Sequence, residues 1–344
     1  MEESALRRLA HPAVILLFLA PILGELLSGS SPPAEFFQPI TFVLLMALYG
    51  GGALLVRELT FRWSKGWPSV LLLGLAYGIV EEGLAVKSFF DPSWVDLGTL
   101  GEYGRWAGVN WVWSLGLMFY HAVYSIGLPI LLAWLLFPGW EKRPWLRPKS
   151  FRACVVALAL VVLFCNLFLT PYRPSWFQLA FAGGAAVGLA LLAHGVPAAL
   201  PVAPAPTLPR PRGVLLRSFA AAIGLFCTLW ALPNTSLPPL ATLAVMAVRA
   251  ILLVRTIARL TLNPAWSRVH AHAAASGALL FFILLDPLIQ LDPNAPDNRS
   301  GMALVALGMA LFLIWLGRRL RMTERGATIG QGPEALRVQQ GEGT

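Results

Sequence analysis

Residues 67–90 read WPSVLLLGLAYGIVEEGLAVKSFF, an apolar run broken near its far end by two adjacent glutamates, Glu81 and Glu82. A helix of about 20 apolar residues crosses the roughly 30 Å hydrocarbon core of a bilayer, and this stretch is long enough to do so. Carboxylates inside such a span cost several kcal/mol unless they face a cavity or a partner, so they mark function by default.

The rest of the chain agrees with a membrane setting. Hydrophobic residues make up 57% of its 344 residues and Asp, Glu, Lys and Arg together 12%. A soluble domain has roughly 25% charged residues, too many to reconcile with this composition. Apolar runs recur near 12–28, 41–56, 67–88, 108–137, 152–170, 175–195, 213–232, 237–258, 270–289 and 301–317. They predict an all-α, polytopic transmembrane helix bundle of about ten spans. The fourth, at about thirty residues, has to tilt or protrude. The first is read as a retained anchor, because Glu25 interrupts it and no clear cleavage site follows.

Basic residues orient the bundle. Twenty-one of the 26 Lys and Arg fall in one set of alternate loops together with the termini, whereas Arg105, Arg173 and Arg299 lie in the other set. That asymmetry predicts that both termini are cytoplasmic. It also assigns the formal charge of +9 to orientation, so no nucleic-acid partner is expected. The expected partner is the lipid bilayer, with a membrane-embedded peptide or a small solute at any site, and the expected location is a bacterial plasma membrane.

The chain divides into a bundle of six spans over residues 1–195, a Pro-rich connector at 196–213, four further spans over 214–321 and a disordered tail at 322–344. Cys154, Cys165 and Cys227 fall in apolar runs without metal or redox spacing. Neither a metal nor another cofactor is expected. Gly50, Gly51 and Gly52 are expected to let helices approach closely. Residues 88–106 form the one sizeable outer connection, read as a lid or a recognition loop. Lys87 is expected to snorkel to the interface, and Arg249 to pair with Asp286 or to snorkel inward.

Helical geometry groups the polar residues. In the fourth span Asn110, Ser114, His121, Tyr124 and Ser125 lie in a stripe about 100° wide. In the third, Tyr77, Glu81 and Ser88 form a line, with Glu82 about 100° away. Adjacent antiparallel spans bring His121 to a depth comparable with the two glutamates. We therefore expect a site at Glu81, Glu82 and His121, supported by Tyr77, Asn110, Ser114 and Ser125 and joined by Glu25 from the first span. A carboxylate beside a neutral imidazole suits water activation.

These residues resemble the CPBP family of CAAX prenyl proteases and bacteriocin-processing enzymes. That family carries Glu-Glu-x-x-x-Arg on one membrane helix, Phe-x-x-x-His on a later one, and a final His-x-x-x-Asn or Asp. Glu81-Glu82 matches the first pair, and His121 follows at the family's usual spacing. The resemblance implies that Glu81, helped by His121, activates water to cleave a peptide bond within the membrane. It covers about residues 74–125. Val86 stands where the motif has arginine, and Leu117 where it has phenylalanine. His272 is followed by Ser276 and lies, like His194, near the opposite face, so neither supplies the third motif.

Two other readings stay open. Ten spans split into five plus five would give inverted halves, as in many secondary transporters, with Pro21 and Gly24 matching Gly183 and Gly184 as helix breakers. The polar residues would alternatively fix helix packing alone. The orientation has its own test. Green fluorescent protein fused after Arg321 should fluoresce and alkaline phosphatase fused after Trp94 should be active; the reverse pattern would refute it.

Overall fold

Proline opens several helices here, where its missing N–H costs nothing and its fixed φ favours the first turn. The computed structural model describes residues 11–330 apart from 294 and 296, and its regular structure is almost entirely helical. Pro12, Pro39, Pro148, Pro211 and Pro239 begin α1 (Pro12–Leu26), α2 (Pro39–Arg62), α5 (Pro148–Leu169), α7 (Pro211–Trp230) and α8 (Pro239–Thr261). Between and after them run α3 (Trp67–Ala85), α4 (Trp111–Leu136), α6 (Trp176–Gly195), α9 (Arg268–Gln290) and α10 (Met302–Gly330). Among the described residues nine helices are long and apolar enough to cross a membrane, and α1 is a shorter apolar helix. The fold is thus the expected all-α polytopic bundle.

Two boundaries differ from expectation for local reasons. Residues 105–110 turn into a small antiparallel hairpin that pairs Arg105 with Asn110, so α4 begins at Trp111 and the long fourth span is shortened. At the other end, α10 continues to Gly330, beyond the start expected for a tail; residues 331–344, like Arg7 and Arg8, lie outside the described residues.

Burial defines the centre. Two-thirds of the most apolar windows of α3 and α4 are buried, against 11% for α5 and α8, which leave most of their apolar surface outward. α3 packs against α4 on one side and α6 on the other, α1 lies against α2 and α4, and α7, α9 and α10 form a second group. Residues 88–106 cover one end of α3, with Phe89, Phe90, Leu97 and Leu100 buried and Tyr103 bonded to the Leu237 carbonyl at 2.9 Å.

The close approach expected of the glycine run is present. A Cβ at Gly50 would lie 2.2 Å from the Leu17 carbonyl oxygen on α1, and one at Gly52 would lie 2.2 Å from the Tyr77 ring on α3. Gly51 meets only Cys154 at an ordinary distance.

Lys87 corrects the sequence reading. It does not snorkel: its side chain is fully buried, and Nζ donates to the carbonyls of Asn166 at 2.6 Å and Thr170 at 3.3 Å at the C-terminus of α5. Arg249 likewise neither reaches Asp286 nor turns inward, but bonds across to α7 at the Gly224 carbonyl and at Thr228 Oγ1.

Gly50→Val is expected to destabilise the folded protein by about 1–3 kcal/mol, because the obstacle is backbone and cannot rotate away. Thermal unfolding in detergent measures this. A midpoint equal to wild type would show that α1 and α2 do not meet there.

Candidate functional site

Among the described residues five helices lose α-helical regularity at one place each. Wider π turns occupy Ile22–Leu26 in α1, Met46–Gly50 in α2, Ile79–Ala85 in α3, His121–Gly127 in α4 and Cys165–Leu169 in α5. Such bulges strain the hydrogen-bond ladder and concentrate at functional sites. Here they carry Glu25, Tyr49, Glu81 with Glu82, and His121 with Ser125. The π turn in α3 carries both glutamates, and both reach one partner.

That partner is His121. Its Nε2 lies 3.0 Å from Glu82 Oε1 and 2.8 Å from Glu81 Oε2. The ring nitrogen is aligned for a hydrogen bond to Glu82, whereas Glu81 Oε2 stands at ion-pair distance without an aligned hydrogen bond. Nδ1 lies 3.0 Å from Ser125 Oγ, one turn along the same helix, which fixes the ring plane. All three side chains are buried, at 4%, 8% and 1% exposure for Glu81, Glu82 and His121.

The outer oxygens of both carboxylates are held as well. Ser88 donates to Glu82 Oε2 and in turn accepts from Trp113 Nε1 at 3.0 Å. The Tyr49 hydroxyl bridges Glu81 Oε1, at 3.0 Å, and Glu25 Oε1. A phenol carries one hydrogen, so a carboxyl proton must make the second of these contacts. Ser31 completes the chain by donating to Glu25 Oε2 at 2.8 Å. A continuous polar path thus runs from Ser31 through Tyr49 and His121 to Trp113, enclosed by apolar packing.

Most residues expected from the sequence meet here, but two do not. Asn110 and Ser114 serve the start of α4: Asn110 Oδ1 accepts from the Trp113 N–H at 2.9 Å, its amide donates to the Leu100 carbonyl, and Ser114 bonds back to the Asn110 carbonyl at 2.6 Å. Asn110 is the N-cap that satisfies an orphan N–H of α4, and Ser114 spends its hydroxyl on the carbonyl four residues back. Ser114 precedes His121 by seven residues, about 10 Å of helical rise. Tyr77 is present beside His121, with ring centroids 5.8 Å apart, and its buried hydroxyl has no hydrogen-bond partner among the described residues. Sequence reasoning missed Tyr49 and Ser31, and noted Ser88 only as part of a line. A polar ring next to the Gly50–Gly52 run was the available signal for Tyr49.

Glu81, Glu82 and His121 each offer one ligand atom within 4.8 Å of the others, a spacing able to hold a divalent cation by three protein ligands. The same atoms suit proton transfer among two carboxylates and an imidazole.

Comparison with known proteins places this bundle in a class of polytopic membrane proteins. The chain belongs to a family described as an uncharacterized membrane protein family, whose model matches residues 14–323 and so takes in all ten helices apart from the ends of the first and last. No curated protein and no solved structure matches the chain.

Tyr49→Phe removes the bridge between Glu25 and Glu81 while keeping the ring. Leaving buried carboxyl oxygens unsatisfied is expected to cost about 1–3 kcal/mol. A lowered unfolding midpoint in detergent checks this, and an unchanged one would mean that the bridge is not formed.

Proposed function

We propose that Glu81, Glu82 and His121 activate water to hydrolyse a peptide bond of a membrane-embedded polypeptide, in a bacterial plasma membrane and in the manner of the CPBP enzymes. The observation that carries this reading is the placement of His121 Nε2 between two buried carboxylates, all on π turns. Glu81 Oε2, free of any aligned hydrogen bond, is the natural acceptor for a proton from water. His121, bonded to Glu82 and turned by Ser125, is placed to relay that proton to the leaving amine. The unpartnered Tyr77 hydroxyl is a donor for the oxygen that becomes negative in the tetrahedral intermediate. Packing alone does not call for five distorted helices, and a network serving packing would leave no hydroxyl of its own unpaired.

The transport reading has less support. An inverted repeat would put matching distortions in α6–α10, yet all the π turns among the described residues lie in α1–α5. A second chemistry is favoured by a specific observation: the oxygens or nitrogen facing away from the centre are held by Tyr49, Ser88 and Ser125, the outer support that orients metal ligands. In that case a divalent cation on the same three residues would supply the activated water.

Wild type, Glu81→Gln and His121→Ala are compared in vesicles containing single-span membrane peptides, with new termini mapped by mass spectrometry. The expected result is cleavage by wild type and a loss of about 10²–10⁴-fold in each variant. Cleavage that survives a metal chelator supports the carboxylate route, and cleavage that it abolishes supports the cation. Absence of cleavage by wild type, or equal cleavage by the variants, would refute the proposal.

A further inference from the structure

On the face that carries the start of α1, Arg57 and Glu58 form an ion pair at 2.5 Å with exposures of 2% and 0%. Burying such a pair is expensive and adds little net stability, so its position needs a reason. It fastens the α4–α5 connection. Arg57 donates to the carbonyls of Arg143 at 2.6 Å and Trp140 at 3.2 Å, and its guanidinium lies 4.1 Å from the centre of the Trp145 ring. Glu58 accepts from the Trp145 N–H at 2.7 Å.

The fastened segment walls a cavity of about 770 Å³ whose lining includes His11, Phe61, Arg62, Trp145, Arg147 and Ser150. Among the described residues no carboxylate lines it; Glu58 is buried and lies 3.5 Å from Arg62. Arg62 is kept in place by that contact, by the Leu146 carbonyl at 3.2 Å and by the Phe151 ring at 4.6 Å. Arg147 is exposed and has no partner among the described residues. The His11 Nδ1 accepts from the Ala13 N–H, which leaves its proton on Nε2. Burial holds this imidazole below its usual pKa, so it serves as a neutral donor. The first turn of α5, uncapped by any side chain, adds unpaired N–H groups.

We infer that this cavity binds a phosphate group borne on a larger, partly apolar molecule. Two arginines match phosphate oxygens, Phe61 and Trp145 give an apolar floor, and the volume far exceeds that of inorganic phosphate. The ends of α2 and α5 place the cavity at the level where a helix leaves the hydrocarbon. A phospholipid headgroup and a free phosphate ester share this chemistry.

Native mass spectrometry of the full chain in detergent, with added phosphatidylglycerol, phosphatidylcholine or glycerol 3-phosphate, distinguishes them. Phosphatidylglycerol should bind, and Arg147→Gln and Arg62→Gln should each weaken it about tenfold, the loss of one charge-assisted contact. Arg152→Gln, on the same helix but outside the lining, should leave it unchanged. Competition by glycerol 3-phosphate at equal concentration would assign the site to soluble esters. Equal retention by wild type and Arg147→Gln, or an equal loss in Arg152→Gln, would overturn the inference. Because the Arg147 side chain has no hydrogen-bond or ion-pair partner among the described residues, its variant remains informative if Arg62→Gln unfolds.

Discussion

An imidazole nitrogen shared between two carboxylates, within a bundle built for hydrocarbon, is the constraint around which the other features arrange themselves. Each of these groups alone would be costly in that medium, and each is stabilised only through the others. Compensation is extended outward by hydroxyls: Ser88 and Ser125 hold one side, and Tyr49 with Glu25 and Ser31 holds the other. Removing any central member therefore exposes the remainder to an environment that cannot solvate it.

Helix geometry is subordinate to that cluster. The π turn in α3 carries both Glu81 and Glu82, and their side chains reach the same imidazole nitrogen. The same local widening in α1, α2 and α4 brings in Glu25, Tyr49 and His121. The missing side chains of Gly50 and Gly52 then let α2 meet the α1 backbone at Leu17 and the Tyr77 ring of α3. Hydrophobic packing positions the helices to within a few ångströms; the polar contacts select the irregular backbone.

The helical bundle was legible in the sequence because bilayer thickness acts on long segments and leaves a strong signal. The spans follow from that rule, and the meeting of Glu81, Glu82, His121 and Glu25 follows from the cost of isolated ionisable groups in hydrocarbon. Helical periodicity does not separate a site residue from one used locally, and so it included Asn110, which caps α4, and Ser114, which donates back to the Asn110 carbonyl. Lys87 was misread because snorkelling assumes that water is the best acceptor available, whereas the end of α5 offers carbonyls closer by. Tyr49 was passed over because a single tyrosine in an apolar run is unremarkable until its neighbours in space are known. The buried Arg57–Glu58 pair likewise has meaning only beside Trp145 and the Arg143 carbonyl, more than eighty residues away.

Solid-state NMR of the reconstituted protein tests the shared imidazole most directly. With ¹⁵N on histidine and ¹³C on the glutamate carboxyls, the His121 Nε2 signal should show dipolar coupling to carboxyl carbons of both Glu81 and Glu82, each lost in turn in Glu81→Gln and Glu82→Gln when only glutamate is labelled. Coupling to neither carbon, with a His121 signal that ignores both substitutions, would contradict the account.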